Sequence, residues 1–222
     1  MRKKIPLVML VISLIFGLMP GQLSYAQQAE VIEETFENPI IWADVPDPDV
    51  IRVGDVYYMT STTMHMNPGV PIMKSYDLVH WEIVNYVYDI LDYKDENALR
   101  NGKHEYGKGS WASSLRYHNG TFYVAFSSQT TGKTYIFQTE DIERGPWRRY
   151  TLPFFHDMSL LFDDDGRVYL VHGVNDIRIV ELTSDATAVK EGGLNKVIIP
   201  DASKVVGAQN FYVQAEGAHI QK

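Results

Sequence analysis

The chain has 222 residues, no cysteine and a formal net charge of −8, and 45% of its residues are hydrophobic. The absence of cysteine excludes a disulfide scaffold and a lipoprotein, so folding depends on the apolar core alone. The acidic balance argues against nucleic acid and anionic lipid as partners and favours a neutral ligand.

The first 26 residues have the pattern of a secretory signal peptide. Three basic residues precede a nearly continuous apolar run over residues 5–18, and Ser24-Tyr25-Ala26 offers the small residues of a cleavage site. The run is shorter than the 18 or more apolar residues of a membrane-spanning helix. We therefore expect a secreted or periplasmic protein that has no membrane partner after cleavage. Its mature net charge would be −11, because 17 basic residues face 28 acidic ones, and residues 27–37 would form a loose polar lead-in.

Residues 38–222 are predicted to form one all-β domain. Short alternating runs of β-branched and aromatic residues are bounded by Gly, Asp, Asn and Pro, and sustained helical periodicity is absent. The most helix-like stretch, residues 89–100, lies between strand-like blocks and is interpreted as a long loop.

A unit of about four strands recurs along this domain. Residues 47–61, 111–128 and 157–173 each contain an apolar strand, a turn and a second strand that carries a tyrosine. The turns are Gly54-Asp55, Asn119-Gly120 and Asp165-Gly166, and the tyrosines are Tyr58, Tyr123 and Tyr169. Gly, Asn and Asp tolerate the positive φ of a two-residue hairpin turn. Further strands are predicted over residues 71–84, 133–152 and 176–185, with Ala188 and Val189 adding to the last set.

Four-stranded units arranged radially are the blades of a β-propeller, in which the first strand of each blade lines a central channel. A fourth unit opens with residues 215–222, and no partner hairpin follows it. The expectation is therefore a propeller truncated to about three blades plus the first strand of the fourth.

Acidic and aromatic side chains recur where these units open. Asp47 and Asp157 open the first and third units, Trp111 opens the second and Glu216 opens the fourth. The pattern predicts that all four project from innermost strands towards one cavity. Such a set suits glycoside hydrolysis, because one acid protonates the leaving oxygen, one base activates water and the indole packs on a sugar face.

These motifs together resemble glycoside hydrolase family 43. The likeness spans residues 38–222 and rests on NPIIWADVPDPDVIRVGDVYYM, SYDLVHWE, SWASSLRYHNGTFYVAF, DMSLLFDDDGRVYLVHG and AEGAHIQK. The family contains β-xylosidases, α-L-arabinofuranosidases and arabinanases built on a five-bladed propeller. The resemblance implies an O-glycosidase that acts on arabinose- or xylose-containing plant polysaccharides or oligosaccharides. It also implies that the chain is the N-terminal portion of a catalytic domain.

The resemblance further implies a role for each carboxylate in an inverting mechanism. Asp47, in the PDP motif, corresponds to the general base, and Glu216, in the EGAH motif, corresponds to the general acid. Asp157 corresponds to the aspartate that orients the acid and tunes its pKa. Met158 and Ala218 stand where proline is common in the family, and neither change removes a reacting group. The acid needs a raised pKa, which burial and the nearby Asp157 would supply.

Three further residues are candidates for sugar binding. Asp44 is either a ligand for sugar hydroxyls or a turn residue, and Trp111 either stacks on sugar or packs in the channel wall. His65 lies in a loop that shapes the sugar pocket in the family. His219, close to the acid, is interpreted as an interior histidine.

No cofactor or catalytic metal is expected, although a structural calcium ion occupies the central channel in parts of the family. The acidic run at residues 163–165 lacks the spacing of a calcium loop and is interpreted as a hairpin turn with solvated charges.

Two functions remain open from the sequence. The recurring carboxylates favour a hydrolase, without choosing arabinose over xylose or exo over endo cleavage. The alternative is a non-catalytic carbohydrate-binding propeller or an inactive truncated fragment, because the sequence ends six residues after Glu216.

Overall fold

Twelve β-strands and one short helix make up the regular structure of residues 35–64, 67–104, 106–205 and 214–222, which the computed structural model describes. The predicted all-β class is confirmed. The predicted signal peptide and residues 27–34 of the lead-in lie outside the described residues, and Phe36–Lys222 forms a unit of its own by its contacts. Across the described ranges, no helix is long and apolar enough to cross a membrane.

The strands form three antiparallel sheets of four strands each, and neighbours along the chain are neighbours in the sheet. Sheet 1 contains β1 (Asp49–Val53), β2 (Val56–Thr60), β3 (Gly69–Ser75) and β4 (Glu82–Tyr88). Sheet 2 contains β5 (Ser110–His118), β6 (Thr121–Ser128), β7 (Lys133–Thr139) and β8 (Arg148–Pro153). Sheet 3 contains β9 (Ser159–Phe162), β10 (Val168–His172), β11 (Ile177–Leu182) and β12 (Asn195–Ile199), and a helical turn, α1 (Ala202–Val205), follows it. The predicted four-strand repeat is therefore present.

Two of the three predicted hairpins have the predicted two-residue turn. Gly54-Asp55 joins β1 to β2, and Asn119-Gly120 joins β5 to β6. Asn119 and Gly120 have φ values of 47° and 82°, the positive values that this turn requires.

The third hairpin departs from the prediction, because residues 163–167 join β9 to β10. Gly166 has a φ of 81° and donates its N–H to the Asp163 carbonyl at 3.1 Å. The Asp163 N–H in turn bonds the Arg167 carbonyl at 2.9 Å. The acidic run does lie in a hairpin connection, but that connection is longer than an Asp-Gly pair alone suggested.

The fourth strand of sheet 3 lies at Asn195–Ile199 and not at Ala188 and Val189. Val189 makes an isolated bridge to Leu182, after which the chain turns again at Gly192 (φ 68°) before it pairs with β11. The sequence prediction was wrong here because two turns, rather than one, separate β11 from its partner.

Of two predictions for segments outside the sheets, one is confirmed and one is wrong. Residues 89–100 contain turns and bends without a helix, as predicted. Residues 215–222, predicted as the first strand of a fourth unit, form no strand. They lie against sheet 3, where Asn175 donates its N–H to the Ala215 carbonyl at 3.0 Å and Ile220 donates its N–H to the Ser159 hydroxyl at 3.3 Å.

Two apolar clusters join the sheets. One contains side chains of sheets 1 and 2, and the other contains side chains of sheets 2 and 3. Strand β6 contributes to both, with Phe122, Val124 and Phe126 in the first cluster and Tyr123 and Ala125 in the second. Because both of its faces are buried, β6 is a continuous apolar run rather than an alternating one.

The innermost strands β1, β5 and β9 are neighbours, and Arg116 of β5 ties them together. Its guanidinium donates to the Asp49 carboxylate at 2.7 Å, to the Ser159 hydroxyl at 2.7 Å and to the Leu160 carbonyl at 2.8 Å. The Asp49 and Arg116 side chains are only 8% and 15% exposed. One largely buried cation therefore links the three innermost strands.

Candidate active site

The candidate site lies where the chain leads into the innermost strand of each sheet. Asp47, Ala112 and Asp157 have φ values of 49°, 37° and 50°, and Gly217 in the last segment has 69°. Positive φ is uncommon for residues other than glycine, and Asp and Asn tolerate it better than most. The residues three places after Ala112, Asp157 and Gly217 also donate their N–H groups in one repeated pattern: Leu115 to the Asp49 carboxylate, Leu160 to the Ser114 hydroxyl and Ile220 to the Ser159 hydroxyl. Because each acceptor lies two places after the preceding member of the set, the four residues are structurally equivalent.

This equivalence corrects the sequence alignment by one residue. Trp111 and Glu216 each precede a positive-φ residue, so they correspond to Pro46 and His156 and not to the two aspartates. We call this preceding place the rim position; its occupants are Pro46, Trp111, His156 and Glu216. Spacing to the hairpin tyrosines did not reveal the shift, because the hairpins differ in length by one residue.

One pocket of about 480 Å³, open to solvent, brings the three carboxylates together. Its described lining consists of Asp47, Met64, Trp111, Ala112, Ser127, His156, Asp157 and Glu216. An adjoining pocket of about 460 Å³ shares Asp47, Ala112 and Asp157 and extends to His219. His219 is exposed, so its interpretation as an interior histidine was wrong.

Asp47 is oriented by the end of strand β2. The Thr62 hydroxyl donates to the Asp47 carboxylate at 2.6 Å and accepts the Ala112 N–H at 2.7 Å. The Thr62 N–H and the Ser61 hydroxyl both bond the Pro46 carbonyl, at 3.0 and 2.8 Å. Sheets 1 and 2 therefore fix one carboxylate oxygen, while the Asp47 residue as a whole stays exposed to the pocket.

Asp157 is the least exposed of the three carboxylates. Burial raises its pKa above the ordinary value, and the Glu216 and Asp47 carboxylates add to that rise. The neighbouring His156 and a hydrogen bond from the Gly217 N–H oppose it. Asp157 is thus electrostatically coupled to both other carboxylates, and its role as the modulator of the acid stays a prediction.

Glu216 forms a hydrogen bond with His156, with 2.8 Å between Oε2 and Nε2. Its side chain is 44% exposed, whereas the sequence interpretation expected a buried acid. Residues 214–222 form no strand, and Glu216 is exposed within them.

A calcium ion does not fit the residues gathered here. His156, Asp157 and Glu216 are the described residues best placed for a metal, with ligand-type atoms within 4.8 Å of one another. Calcium prefers six to eight oxygen ligands, and this group offers one imidazole nitrogen and two carboxylates. A structural calcium ion in the central channel, which occurs in parts of the family, stays untested for this chain.

The predicted sugar-binding residues have different positions. Trp111 is half-buried in the pocket wall, its ring edge-on to His156 with 6.5 Å between centroids. Its buried Nε1 has no hydrogen-bond partner among the described residues. Asp44 is exposed and is not among the described residues of the pocket, and His65 lies outside the described residues.

Sequence reasoning missed Thr62 and His156. Nothing in the run of hydroxyl residues at 60–63 marks Thr62 as the partner of Asp47. For His156 a signal existed, since it immediately precedes Asp157 and occupies the same kind of position as Glu216.

Several carboxylates beside an indole, in a pocket reached from the surface, are typical of glycoside hydrolases. A family model described as glycosyl hydrolases family 43 matches residues 36–222. The chain belongs to this family.

Relatives and solved structures agree with that assignment. The chain is 34% identical over 180 residues to a beta-xylosidase of Formosa agariphila, covering 72% of this chain and 30% of the relative. It is 34% identical over 164 residues to a non-reducing end alpha-L-arabinofuranosidase of Bacteroides ovatus, covering 71% and 28%. It also resembles the solved structure of a bifunctional GH43-CE protein of Bacteroides eggerthii, with a TM-score of 0.78 and 49% identity over 83% of this chain and 24% of that one. The chain therefore spans about a third or less of the length of these proteins.

Proposed function

We propose that the protein is an inverting glycoside hydrolase that releases arabinose or xylose from plant cell-wall polysaccharides or oligosaccharides. The observation that carries the proposal is the convergence of Asp47, Asp157, Glu216 and Trp111 on one pocket in a family 43 chain. Relatives named beta-xylosidase and alpha-L-arabinofuranosidase support the two sugars.

In the proposed reaction, Glu216 protonates the glycosidic oxygen while Asp47 removes a proton from the water that attacks the anomeric carbon. The C–O bond to the leaving group breaks as the bond to water forms, so the product has the opposite configuration. The hydrogen bond from Thr62 suits a base that must stay ionised, because it stabilises the negative form of Asp47.

The position of Asp47 supports this division of roles. Asp47 lines the same pocket as Glu216 but is not a member of the tight cluster of His156, Asp157 and Glu216. Inverting enzymes keep their acid and base about 6.5–9.5 Å apart so that a water molecule fits between them.

We also propose that the three sheets are the first blades of a five-bladed propeller and that residues 1–26 direct secretion. The arrangement of β1, β5 and β9 as neighbouring innermost strands supports the first point. Secretion suits a polymeric substrate that stays outside the cell. A purely carbohydrate-binding role is not favoured, because the family model is one of glycosyl hydrolases and the relatives are named as a beta-xylosidase and an alpha-L-arabinofuranosidase.

The test is hydrolysis of 4-nitrophenyl α-L-arabinofuranoside and 4-nitrophenyl β-D-xyloside by the full-length protein. We expect turnover of at least one glycoside, and ¹H NMR should show first-formed sugar of inverted anomeric configuration. Sugar binding without turnover of either glycoside, or of xylo- and arabino-oligosaccharides, would contradict the enzyme proposal. First-formed sugar of retained configuration would contradict the inverting mechanism alone.

A further inference from the structure

The backbone beside Glu216 is fixed by hydrogen bonds, and its side chain hydrogen-bonds to His156. The adjacent Ala215 is fixed at both polar groups, since its carbonyl accepts the Asn175 N–H at 3.0 Å and its N–H donates to the Ser203 hydroxyl at 2.9 Å. The carboxylate, 44% exposed, hydrogen-bonds to His156 at 2.8 Å. Since a glutamate side chain has three rotatable bonds, this contact restricts where the carboxyl group can point.

His156 is itself held in place. Its carbonyl accepts the Gly173 N–H at 2.9 Å, and its ring contacts those of Trp111 and Phe154, with centroid distances of 6.5 and 6.4 Å. The His156 side chain is 25% exposed, less than that of Glu216. The His156 ring, held by two aromatic contacts and a backbone hydrogen bond, has less conformational freedom than the Glu216 side chain and can orient its carboxyl group.

The contact also follows from the architecture. His156 and Glu216 both occupy the rim position, His156 leading into sheet 3 and Glu216 into the segment that lies against sheet 3. Both side chains line the pocket that contains Asp47. The fold therefore places these two rim residues so that their side chains reach hydrogen-bond distance.

We propose that His156 is a positioning residue for the general acid, holding the Glu216 carboxyl group towards the glycosidic oxygen. The inference rests on the proposed role of Glu216. Proton donation requires the acid within hydrogen-bond reach of the leaving oxygen, so a freely rotating carboxyl group spends less time in productive geometry. Loss of His156 should then slow those reactions that depend on proton donation.

Leaving groups of different basicity provide the test. A 2,4-dinitrophenyl glycoside departs with little protonation, whereas a methyl glycoside of the same sugar needs the acid. We expect His156→Phe in the full-length protein to lower kcat/KM for the methyl glycoside by about tenfold to a hundredfold. The dinitrophenyl glycoside should stay within about threefold of the unmodified protein. A loss that is equal for both substrates would overturn the inference.

Two variants serve as controls for His156→Phe. His156→Gln keeps a hydrogen-bonding group and should retain more activity on the methyl glycoside than His156→Phe does. His172→Gln changes a half-buried histidine of strand β10 whose ring packs on Phe155 at 4.6 Å, and it should leave the ratio between the two substrates unchanged. A ratio changed equally by His156→Phe and His172→Gln would indicate a general structural effect and overturn the inference.

Glu216→Gln separates this inference from the proposed function. It should give the same leaving-group dependence as His156→Phe, with a greater loss. If Glu216→Gln shows that dependence and His156→Phe does not, only the role of His156 is wrong. If Glu216→Gln shows no such dependence, its assignment as the acid is wrong, and the inference about His156 fails with it.

Discussion

At the scale of single residues, three chemically similar carboxyl groups differ because their surroundings differ. Asp47 accepts a hydrogen bond from the Thr62 hydroxyl, Asp157 is partly buried between like charges, and Glu216 contacts an imidazole. Sequence reasoning located all three in one pocket, because the openings of the repeated units converge, although Glu216 holds the rim position and not the position of the two aspartates. It did not supply their partners, since Thr62 and His156 reach them through folding.

Asp157→Asn should stabilise the protein at neutral pH while lowering its activity. The pKa of Asp157 is raised in the folded state, so the folded state disfavours the ionised carboxylate. The stability that this group contributes is therefore present below its unfolded pKa of 3.8 and is lost as the pH rises through its folded pKa. Urea unfolding at pH 7 should therefore show the asparagine variant to be more stable, with a difference that vanishes near pH 3. A gain in unfolding free energy of the asparagine variant that increases as the pH falls would contradict this account.

Gly217→Ala should lower activity more than its effect on stability explains. Gly217 has a φ of 69° and donates its N–H to Asp157, so backbone strain from an added Cβ, which would itself contact Asp157 Oδ2 at 3.4 Å, should displace this carboxylate. Gly166→Ala is the matched control, since its φ is 81° and its Cβ would meet nothing within 4 Å. Both variants should lose about 1 kcal/mol of unfolding free energy from backbone strain, and only Gly217→Ala should change kcat. Equal kcat values in the two variants would mean that Gly217 does not position Asp157.

At the scale of strands and sheets, hairpins were the most predictable feature. The turn at Asn119-Gly120 could be predicted from the backbone preferences of these two residues alone. Successive side chains of β6 point to opposite faces of the strand, so they are divided between the two apolar clusters. The assignment of Trp111 and Glu216 to the rim position was not predictable, because it depends on the lengths of the hairpins, which differ by one residue. Strand β12 was misplaced for a similar reason, since a second turn at Gly192 shifts its pairing.

Arg116→Met should destabilise the protein by about 3–5 kcal/mol, because it leaves the largely buried Asp49 carboxylate unpaired. Arg52→Met is the control on strand β1, where Arg52 and Asp55 have side chains 59% and 98% exposed and the pair contributes little. Urea unfolding of both variants measures the difference. A loss below about 1 kcal/mol for Arg116→Met would show that the buried pair does not hold the innermost strands together.

At the scale of the whole molecule, the site is assembled from several sheets and belongs to none of them. Sheet 1 supplies Asp47, sheet 2 supplies Trp111, sheet 3 supplies Asp157, and the segment after sheet 3 supplies Glu216. The family and its all-β architecture were predictable from motifs along the chain. The exposure of Glu216 was not, because it depends on what packs beside residues 214–222.

The measurement that tests the central claim most directly compares three carboxyl-to-amide variants of the full-length protein. Asp47→Asn and Glu216→Gln change the proposed base and acid, and Asp55→Asn changes a carboxylate with a 98% exposed side chain in a hairpin turn. With a 4-nitrophenyl glycoside that the protein hydrolyses, we expect Asp47→Asn to lose at least a hundredfold in kcat. Glu216→Gln should lose as much on an oligosaccharide, whose leaving group requires protonation, while Asp55→Asn keeps full activity and all three unfold at similar temperatures. Undiminished turnover of the 4-nitrophenyl glycoside by folded Asp47→Asn, or of the oligosaccharide by folded Glu216→Gln, would contradict the assignment of this pocket as the catalytic site.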